Sequence, residues 1–446
     1  MATAPGALPL LGHALKLRSA ERLLGFMASL PAHGDLVQVR IGRWRGYVVC
    51  HPDLVHQVLV DDSVFDKGGR LFDKVREVLG NGVGTCPHRE HRQQRRSLQP
   101  AFHRDRLPAY AEVMTEQIAD LLSSWRDGQS IDVVTQMRTL SSRTLARTLF
   151  TAEYASEAVA AMEQSLPDLM RGIYRHLFTP SAVLQRLPTP VNRRFQRAMI
   201  RTRSAVIRAA RDYRAAGQDH GDLFSTLLTA RDEHGRPLTD TQICDQIVTV
   251  MMAGIDTTAN ALAWSLHLLT EHPGIWQRLH TEADRVLDGR AATWTDLPRL
   301  DLTTRVLTET LRLNPPVWTF TRATTTDTDS AGHPLPAGTT VIISPYVIHR
   351  RPDLYPDPER FDPDRPLSAP RHASIPFGGG AHRCIGDTYA VTLATLTLST
   401  LASRWHLEAT TRQPVSPAPH ATLVPKSLHL RVRSRAHNQV SERSPQ

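Results

Sequence analysis

A glycine-rich stretch near the end of the chain restricts the possible fold more than any other part of the sequence. Residues 377–386 read FGGGAHRCIG, so three consecutive glycines stand shortly before Cys384. Glycine readily adopts positive φ angles, which predicts a tight turn here. A helical periodicity runs from 387 to 403, so we expect Cys384 at a helix N-terminus. The helix dipole and exposed N–H groups favour a thiolate there, and His382 and Arg383 add positive charge.

Taken alone, this segment is compatible with three kinds of site. A glycine-rich turn before a helix can bind phosphate, although the pattern G-x-x-x-x-G-K-[ST] is absent. A lone cysteine is often a small buried side chain, and it can also be a metal or haem ligand. The four cysteines, Cys50, Cys86, Cys244 and Cys384, form no C-x-x-C pair. Their spacing argues against a disulfide framework and against a structural zinc site.

The remaining sequence predicts a mainly α-helical protein with a minor β portion. Apolar residues recur at helical spacing in five long stretches, 110–125, 133–151, 154–171, 190–216 and 239–270. Alternating apolar residues at 36–41 and 46–50 predict a small two-stranded sheet, and further strand patterns occur at 339–344 and 427–432. A length of 446 residues would ordinarily suggest two or three domains, but no linker divides this chain.

The charge of the chain bears on its partners. It carries 53 Lys and Arg against 44 Asp and Glu, which suits nucleic acid, an anionic membrane surface or an acidic protein. Only the stretch 89–106 is densely basic, and on charge alone it favours nucleic acid. Residues 2–17 are interrupted by proline and glycine and contain no run near the ~18–20 apolar residues of a membrane span. We therefore expect a cytoplasmic protein without a membrane anchor.

Residues 377–386 are similar to the haem-binding signature of the cytochrome P450 family, F-x-x-G-x-[RH]-x-C-x-G. The match includes every fixed position of that signature, namely Phe377, Gly380, His382, Cys384 and Gly386. The resemblance implies that Cys384 binds the iron of haem b as a thiolate, with Phe377 and His382 close to the cofactor. Electron donation from a thiolate ligand favours O–O cleavage and distinguishes this family from histidine-ligated oxygen carriers.

A second pattern lies inside the long apolar stretch 239–270. Residues 253–258 read AGIDTT, in which glycine and threonine weaken a helix interior. Such a segment is either a harmless kink or an opened turn beside a hydroxyl and a carboxylate. It resembles the family's A-G-x-D-T-T, which implies that Thr257 hydrogen-bonds dioxygen and that Asp256 relays protons through water.

A third pattern, Glu309 and Arg312 at i and i+3, by itself indicates only a weak surface ion pair. The pair resembles the family's E-x-x-R, which implies that it stabilises the core beneath the haem together with a later arginine. We expect that arginine to be Arg365, and Arg360 is the alternative.

His91 and Arg95 stand at i and i+4, on one face of a predicted basic helix. They resemble the H-x-x-x-R of bacterial P450s, which binds the two haem propionates; burial of these carboxylates requires cations or donors. Arg322 and His382 are the other candidates for this role. The resemblance extends over essentially the whole chain, and it implies one haem domain over 1–433. The haem is expected between the long central helix and the cysteine loop, and the polar residues 434–446 are predicted to be a disordered tail.

By family analogy, the substrate pocket is formed by apolar and aromatic residues, which implies a hydrocarbon-like ligand held by shape. The expected pocket residues are Phe72, Leu79, Met252, Ala253, Val317, Trp318, Phe320 and Leu423, with Leu71, Val78, Val83, Met170, Ile173 and Tyr174 as neighbours. Residues 82–85, 91–102 and 315–318 resemble those of Streptomyces-type sesquiterpene oxygenases, which implies oxidation of a methyl group to an alcohol and then an aldehyde. The alternatives are another apolar secondary metabolite, a non-monooxygenase haem-thiolate enzyme, and a haem sensor or carrier without catalysis.

The chain carries no sign of a flavin or iron–sulfur domain, so the resemblance implies that electrons come from NAD(P)H through partner proteins. We expect a ferredoxin and a ferredoxin reductase as partners; ferredoxins are acidic as a class, which suits a basic chain. The candidates for the docking face are Arg92, Arg96, Arg104 and Arg383. With this reading of the basic stretch, no nucleic acid is expected to bind.

Overall fold

The computed structural model describes residues 2–435 except 18, 151–155, 179–186, 218, 220, 233, 367 and 412. The side chains of Leu71, Val78, Met170, Ile173 and Tyr174, predicted as pocket neighbours, lie outside the described residues. The described helices are α1 (Ala20–Ser29), α2 (Pro52–Val60), α3 (Gly69–Leu79), α4 (His88–Leu98), α5 (Leu107–Ser123), α6 (Val133–Leu149), α7 (Ser156–Phe178), α8 (Pro190–Ala216), α9 (Leu223–Thr229), α10 (Asp240–Glu271), α11 (Pro273–Leu287), α12 (Asp301–Leu313), α13 (Pro345–Ile348) and α14 (Asp387–Arg404). The mainly helical fold class predicted from periodicity is confirmed.

The β portion is larger than predicted. Its strands are β1 (Ala2–Thr3), β2 (Leu36–Ile41), β3 (Trp44–Val49), β4 (Phe65–Asp66), β5 (Ser130–Asp132), β6 (Phe320–Thr324), β7 (Thr328–Ser330), β8 (His333–Leu335), β9 (Thr340–Ile343), β10 (Trp405–Ala409), β11 (Pro417–Pro419), β12 (Leu423–Pro425) and β13 (His429–Ser434). The predicted two-stranded sheet is wrong in its extent, because β2 and β3 belong to a six-stranded sheet in the order β1-β2-β3-β9-β6-β4. A second sheet has the order β10-β13-β5, and two further pairs are β11-β12 and β7-β8.

The central helix α10 has a well-capped start, and most of its residues are buried inside the protein. Thr239 caps it, since its hydroxyl accepts from the N–H of Gln242 at 3.3 Å while the Gln242 side chain accepts from the N–H of Thr239 at 2.9 Å. Within the described part of the chain, α10 alone is long and apolar enough to cross a membrane, but 83% of its most apolar window is buried inside the protein. The apolar character of α10 is therefore explained by its position in the core of the helical body.

The large helical core packs around α10. Helices α6, α8, α12 and α14 all contact it, and its buried residues share one apolar cluster with those of α5, α11 and β13. Two smaller clusters lie on the sides of the six-stranded sheet. The N-terminus of α12 is held by Glu282 of α11, whose carboxylate accepts from the N–H groups of Leu302 at 2.7 Å and Thr303 at 2.9 Å.

The C-terminal end of the fold lies slightly later than the predicted start of the tail at 434. Ser434 ends β13, and the guanidinium of Arg435 binds the carboxylate of Asp284 at 2.7 Å. These two residues are therefore part of the fold. Residues 436–446 lie outside the described residues, so the predicted tail remains a prediction for them.

Candidate active site

The cysteine loop turns at two glycines with positive φ angles, 68° at Gly378 and 62° at Gly380. A Cβ atom at Gly380 would lie 1.8 Å from the carbonyl oxygen of Leu59, at the end of α2, so only glycine fits there. The N–H of Cys384 donates to the carbonyl of Phe377 at 3.0 Å and closes the loop. The tight turn predicted from the three glycines is thus explained by both backbone conformation and close packing.

Cys384 lies three residues before α14. One side of its side chain is exposed to a cavity, and its other sides are surrounded by protein atoms. Burial raises the pKa of its thiol, while the N–H of Gly386 and the nearby Arg95 and Arg383 act in the opposite direction. The thiolate preference predicted from the helix N-terminus is therefore outweighed by burial in the protein alone. A coordinated metal ion reverses this balance, because a coordinating thiol is deprotonated.

The cavity in front of Cys384 has a volume of about 370 Å³ and lies between the cysteine loop and α10. Most of its wall is apolar or aromatic. These wall residues are Phe72, Val83, Phe102, Leu145, Val250, Ala253, Leu307, Leu311, Val317, Phe320, Phe377 and Ile385. The predicted residues Phe72, Ala253, Val317, Phe320 and Phe377 all belong to it.

One end of the cavity is lined by basic side chains, Lys67, His91, Arg95, Arg322 and His382. The rings of His91 and His382 lie 4.0 Å apart. Burial, together with the positive charges of Lys67 and Arg95, lowers the pKa of His91 to about 3. Burial also lowers the pKa of Lys67 to about 8. Both ring nitrogens of His382 are buried without a hydrogen-bond partner, with the Asp62 carboxylate 3.5 Å from Nε2.

This arrangement fits the haem expected from the sequence. The positive charges of Lys67, Arg95 and Arg322 lie close together beside two histidines that burial keeps neutral, and the two haem propionates would supply carboxylates for all five side chains. Their cavity also contains a cysteine side chain and an apolar wall, which suit the iron and the porphyrin ring. The structure brings together all four predicted propionate residues, His91, Arg95, Arg322 and His382, and adds Lys67.

Lys67 is the basic residue of the site that sequence reasoning missed. Its ammonium donates to the carbonyl of Val83 at 2.6 Å, and the residue is only 7% exposed. A single lysine between β4 and α3 has no sequence pattern that marks it as a site residue. The missed wall residues on α10, namely Thr249, Val250 and Ala261, could have been found, because they continue the face of Ala253 and Thr257 at helical spacing.

Thr257 and Asp256 lie on different faces of α10. Thr257 lines the cavity, and its hydroxyl donates to the carbonyl of Ala253 at 2.5 Å within an unbroken helix. Asp256 is 2% exposed and points away from the cavity. Its carboxylate binds the guanidinium of Arg138 at 2.7 Å and accepts hydrogen bonds from Asn260, at 3.1 Å, and from Thr422.

Four predicted pocket residues do not line the cavity, and the prediction is corrected for them. Met252 lies four residues before Asp256 on the same face of α10, which packs into the helical core. The indole N–H of Trp318 donates to the carbonyl of His420 at 3.1 Å, so the ring points away from its neighbour Val317. Leu423 is completely buried in the cluster beside the six-stranded sheet, and Leu79 packs against the helical core at the end of α3.

Glu309 and Arg312 form a buried pair rather than a surface one. Two hydrogen bonds of 2.8 Å join the guanidinium of Arg312 to both carboxylate oxygens, and the side chains are 6% and 7% exposed for Arg312 and Glu309. Arg365 binds the same carboxylate at 3.1 Å. Arg360 contributes only its carbonyl, which accepts from Arg312 at 3.1 Å and from Arg365 at 2.9 Å. The structure thus places Arg365, and not the Arg360 side chain, beside Glu309.

The chain is similar to known proteins over almost its full length. A sequence profile described as "Cytochrome P450" matches residues 3–432. Pentalenene oxygenase of Streptomyces avermitilis is 45% identical over 443 residues, or 98% of each chain. Cyclooctat-9-en-7-ol 5-monooxygenase of Streptomyces melanosporofaciens is 46% identical over 91% of this chain and 89% of that protein. Cyclooctatin synthase of the same organism is 45% identical over 96% of this chain and 94% of that protein.

Proposed function

The chain belongs to the cytochrome P450 family, and from that premise we propose that this monooxygenase inserts oxygen into an apolar terpene bound beside Cys384. The observation that supports this proposal most strongly is the cavity, which is lined by an apolar wall, a cysteine side chain and a cluster of basic side chains. Haem bound there with Cys384 as its ligand supplies oxygen activation, because a thiolate favours O–O cleavage. The overall reaction consumes O₂ and two electrons.

The residues of this chain divide the remaining work. Lys67, Arg95 and Arg322 would supply positive charge to the propionates, and the neutral His91 and His382 would supply hydrogen bonds, which together would fix the orientation of the cofactor in the cavity. The apolar wall excludes water and positions the substrate by shape, because it offers few polar groups for specific recognition.

Thr257 and Asp256 provide the proton path in this proposal. Thr257, one turn after Ala253 on α10, is one of the threonines that line the cavity. Asp256 lies on the far side, paired with Arg138, whose side chain is 32% exposed and reaches toward solvent. To pass a proton to the Thr257 side, the Asp256 side chain must leave Arg138 and Thr422. We therefore assign Asp256 a proton-transfer role that requires a change of rotamer.

The proposed substrate is a sesquiterpene of the pentalenene type, oxidised at a methyl group to an alcohol and then an aldehyde. The support is the 45% identity with pentalenene oxygenase over the whole chain, together with an apolar cavity that offers no fixed charge for an anionic substrate at its α10 side. A second candidate is cyclooctat-9-en-7-ol, since a monooxygenase named for that compound is 46% identical.

A terpene panel tests this proposal. Pentalenene and cyclooctat-9-en-7-ol are each added to the haem-loaded enzyme, and the shift of the Soret band is followed during titration. Products formed with a ferredoxin, its reductase and NAD(P)H are then identified by mass spectrometry. We expect a saturable shift and stepwise methyl oxidation with pentalenene. Binding and turnover of cyclooctat-9-en-7-ol alone would favour the second candidate, and no turnover of either would refute the terpene assignment.

The proposed electron donors are a ferredoxin and its reductase, in the cytoplasm. Arg92, Arg96, Arg104 and Arg383 are all exposed and lie on or beside the segments that hold the cysteine loop. The loop contacts α4 directly, because the Arg95 guanidinium donates to the carbonyl of Arg383 at 2.6 Å. Positive charge on this side of Cys384 suits an acidic electron carrier.

A further inference from the structure

Asp245, on α10, joins the segment just before the cavity residues Val83 and Gly84 to helix α8. Its Oδ2 accepts from the backbone N–H of Asn81 at 2.8 Å, and its Oδ1 accepts from the guanidinium of Arg203, on α8, at 2.6 Å. The side chains of Asp245 and Arg203 are 9% and 25% exposed. Charge-assisted hydrogen bonds of this length are stronger than neutral ones, so the carboxylate holds both partners in defined positions.

The next residue of α10 extends the attachment. The side-chain oxygen of Gln246 accepts from the N–H of Val83 at 2.9 Å, and its amide donates to Gln94 of α4 at 2.8 Å. Gln94 in turn donates to the carbonyl of Asn81 at 3.0 Å. The backbone of residues 80–84, here called the wall loop, is therefore fixed to α10 and α4 through three of its peptide groups.

Three glycines let the wall loop lie directly on α10. A Cβ atom would stand 2.1 Å from the Asp245 carboxylate at Gly80, 2.3 Å from the Thr249 hydroxyl at Gly82 and 2.9 Å from the Thr249 methyl at Gly84. Val83, Gly84 and Thr249 all line the cavity. The distance between loop and helix thus sets the shape of the cavity wall at this point.

We propose that Asp245 is a positioning residue that holds the wall loop closed against α10 and against α8, and thereby retains a bulky apolar ligand in the cavity. The inference rests on the proposed function only in taking this cavity as the substrate site. Loss of the carboxylate leaves the Asn81 N–H and the Arg203 guanidinium competing for one neutral acceptor. The wall loop then separates from Thr249 more often, and a ligand that depends on the wall escapes faster.

The chain offers a matched control on the same two helices. Asp240, at the start of α10, also pairs with arginines of α8, namely Arg214 and, at 3.4 Å, Arg211. It makes no described contact with the wall loop. Asp240→Asn therefore removes an ion pair between α8 and α10 without touching the cavity wall.

The test compares Asp245→Asn, Gly82→Ala and Asp240→Asn in the haem-loaded full-length protein. Dissociation of clotrimazole, a bulky apolar imidazole, is followed by stopped-flow absorbance, with imidazole itself as a small ligand that does not reach the wall. Hydrogen exchange of the amides of residues 81–83 reports the wall loop directly. Gly82→Ala should also separate the wall loop from α10, because the added Cβ atom would push against Thr249 while Asp245 stays intact.

We expect clotrimazole to dissociate about tenfold faster from Asp245→Asn and Gly82→Ala, a change of about 1.4 kcal/mol, with faster exchange at 81–83. Imidazole affinity in these variants, and all properties of Asp240→Asn, should stay within about twofold of the parent. Equal clotrimazole dissociation from all three variants, or faster exchange throughout the chain, would overturn the positioning role. Because clotrimazole is not a terpene, this outcome is independent of whether any terpene is oxidised.

Discussion

Cys384 shares its loop with two glycines of positive φ, and among the described cysteines it alone lines the cavity. We predict that Cys384→Ser abolishes the absorption band that distinguishes thiolate-ligated haem in the reduced carbon monoxide complex. Cys50→Ser, Cys86→Ser and Cys244→Ser should keep the band, because these side chains are buried in the protein and do not line the cavity. The assignment fails if one of these three variants loses the band and Cys384→Ser retains it.

Thr257 and Asp256 are neighbours in sequence with different surroundings. We predict that Thr257→Ala folds, binds haem and accepts electrons, but diverts reducing equivalents to hydrogen peroxide or water. Asp256→Asn should lower kcat by about 100-fold with little change in substrate affinity, since proton transfer is lost. Thr258→Ala, at another position lining the cavity, is the control. Unchanged coupling and kcat in both variants would remove the proton-transfer role.

Lys67 is buried near Arg95 and Arg322, and burial lowers its pKa to about 8, so an anion bound beside it would favour the charged ammonium. We predict that Lys67→Met, which keeps the aliphatic stem, loses haem to apomyoglobin about tenfold faster, in line with ~1.5–3 kcal/mol for a hydrogen bond to a charged group. Lys426→Met, at an exposed lysine, should lose haem at the parental rate. An unchanged rate of haem loss in Lys67→Met would show that Lys67 does not help to retain haem and only hydrogen-bonds the carbonyl of Val83.

At the scale of elements, helix α12 contains both a buried and a surface ion pair. Removing Arg312 leaves Glu309 uncompensated in the core, so Arg312→Ala should lower the free energy of unfolding by ~3–5 kcal/mol and reduce haem content. Arg305→Ala, on the same helix, removes pairs with Asp301 and Asp364 whose side chains are largely exposed, and should cost less than about 1 kcal/mol. Urea unfolding and haem absorbance measure both effects. Equal losses would contradict a structural role specific to the buried pair.

Periodicity predicted the elements better than their pairing. The helix over 190–216 was predicted with its observed bounds, since Pro190 and Gly217 mark its ends. The six-stranded sheet was underestimated, because β3 pairs with β9 almost 300 residues later in the chain. The site residues show the same contrast between local patterns and long-range contacts. Motif residues such as Cys384 line the cavity, whereas the contacts of Lys67 with Val83 and of Asp245 with Asn81 join parts of the chain that no local pattern relates.

At the scale of the whole molecule, the surplus of positive charge is the property that bears on electron supply. We predict that Arg92→Glu or Arg96→Glu slows reduction by a ferredoxin several-fold, and that reduction of the parent slows as ionic strength rises. Substrate affinity should stay unchanged, because both side chains are exposed on α4. Arg45→Glu, on the six-stranded sheet, controls for net charge. Salt-independent reduction, or turnover with NAD(P)H and no partner protein, would refute this docking site.

The packing of three glycines on Asp245 and Thr249 also limits how this enzyme can be engineered. A wall loop transplanted from a relative would fit only if it kept glycine at positions 80, 82 and 84, because the helix leaves no room there for a Cβ atom. Chimeras whose loop has another residue at these positions should therefore express poorly or bind ligands weakly. Exchanges that take the relative's residues at positions 245, 246 and 249 together with its loop should keep a closed cavity. The loop and this stretch of α10 form one transferable unit, although 160 residues separate them in the chain.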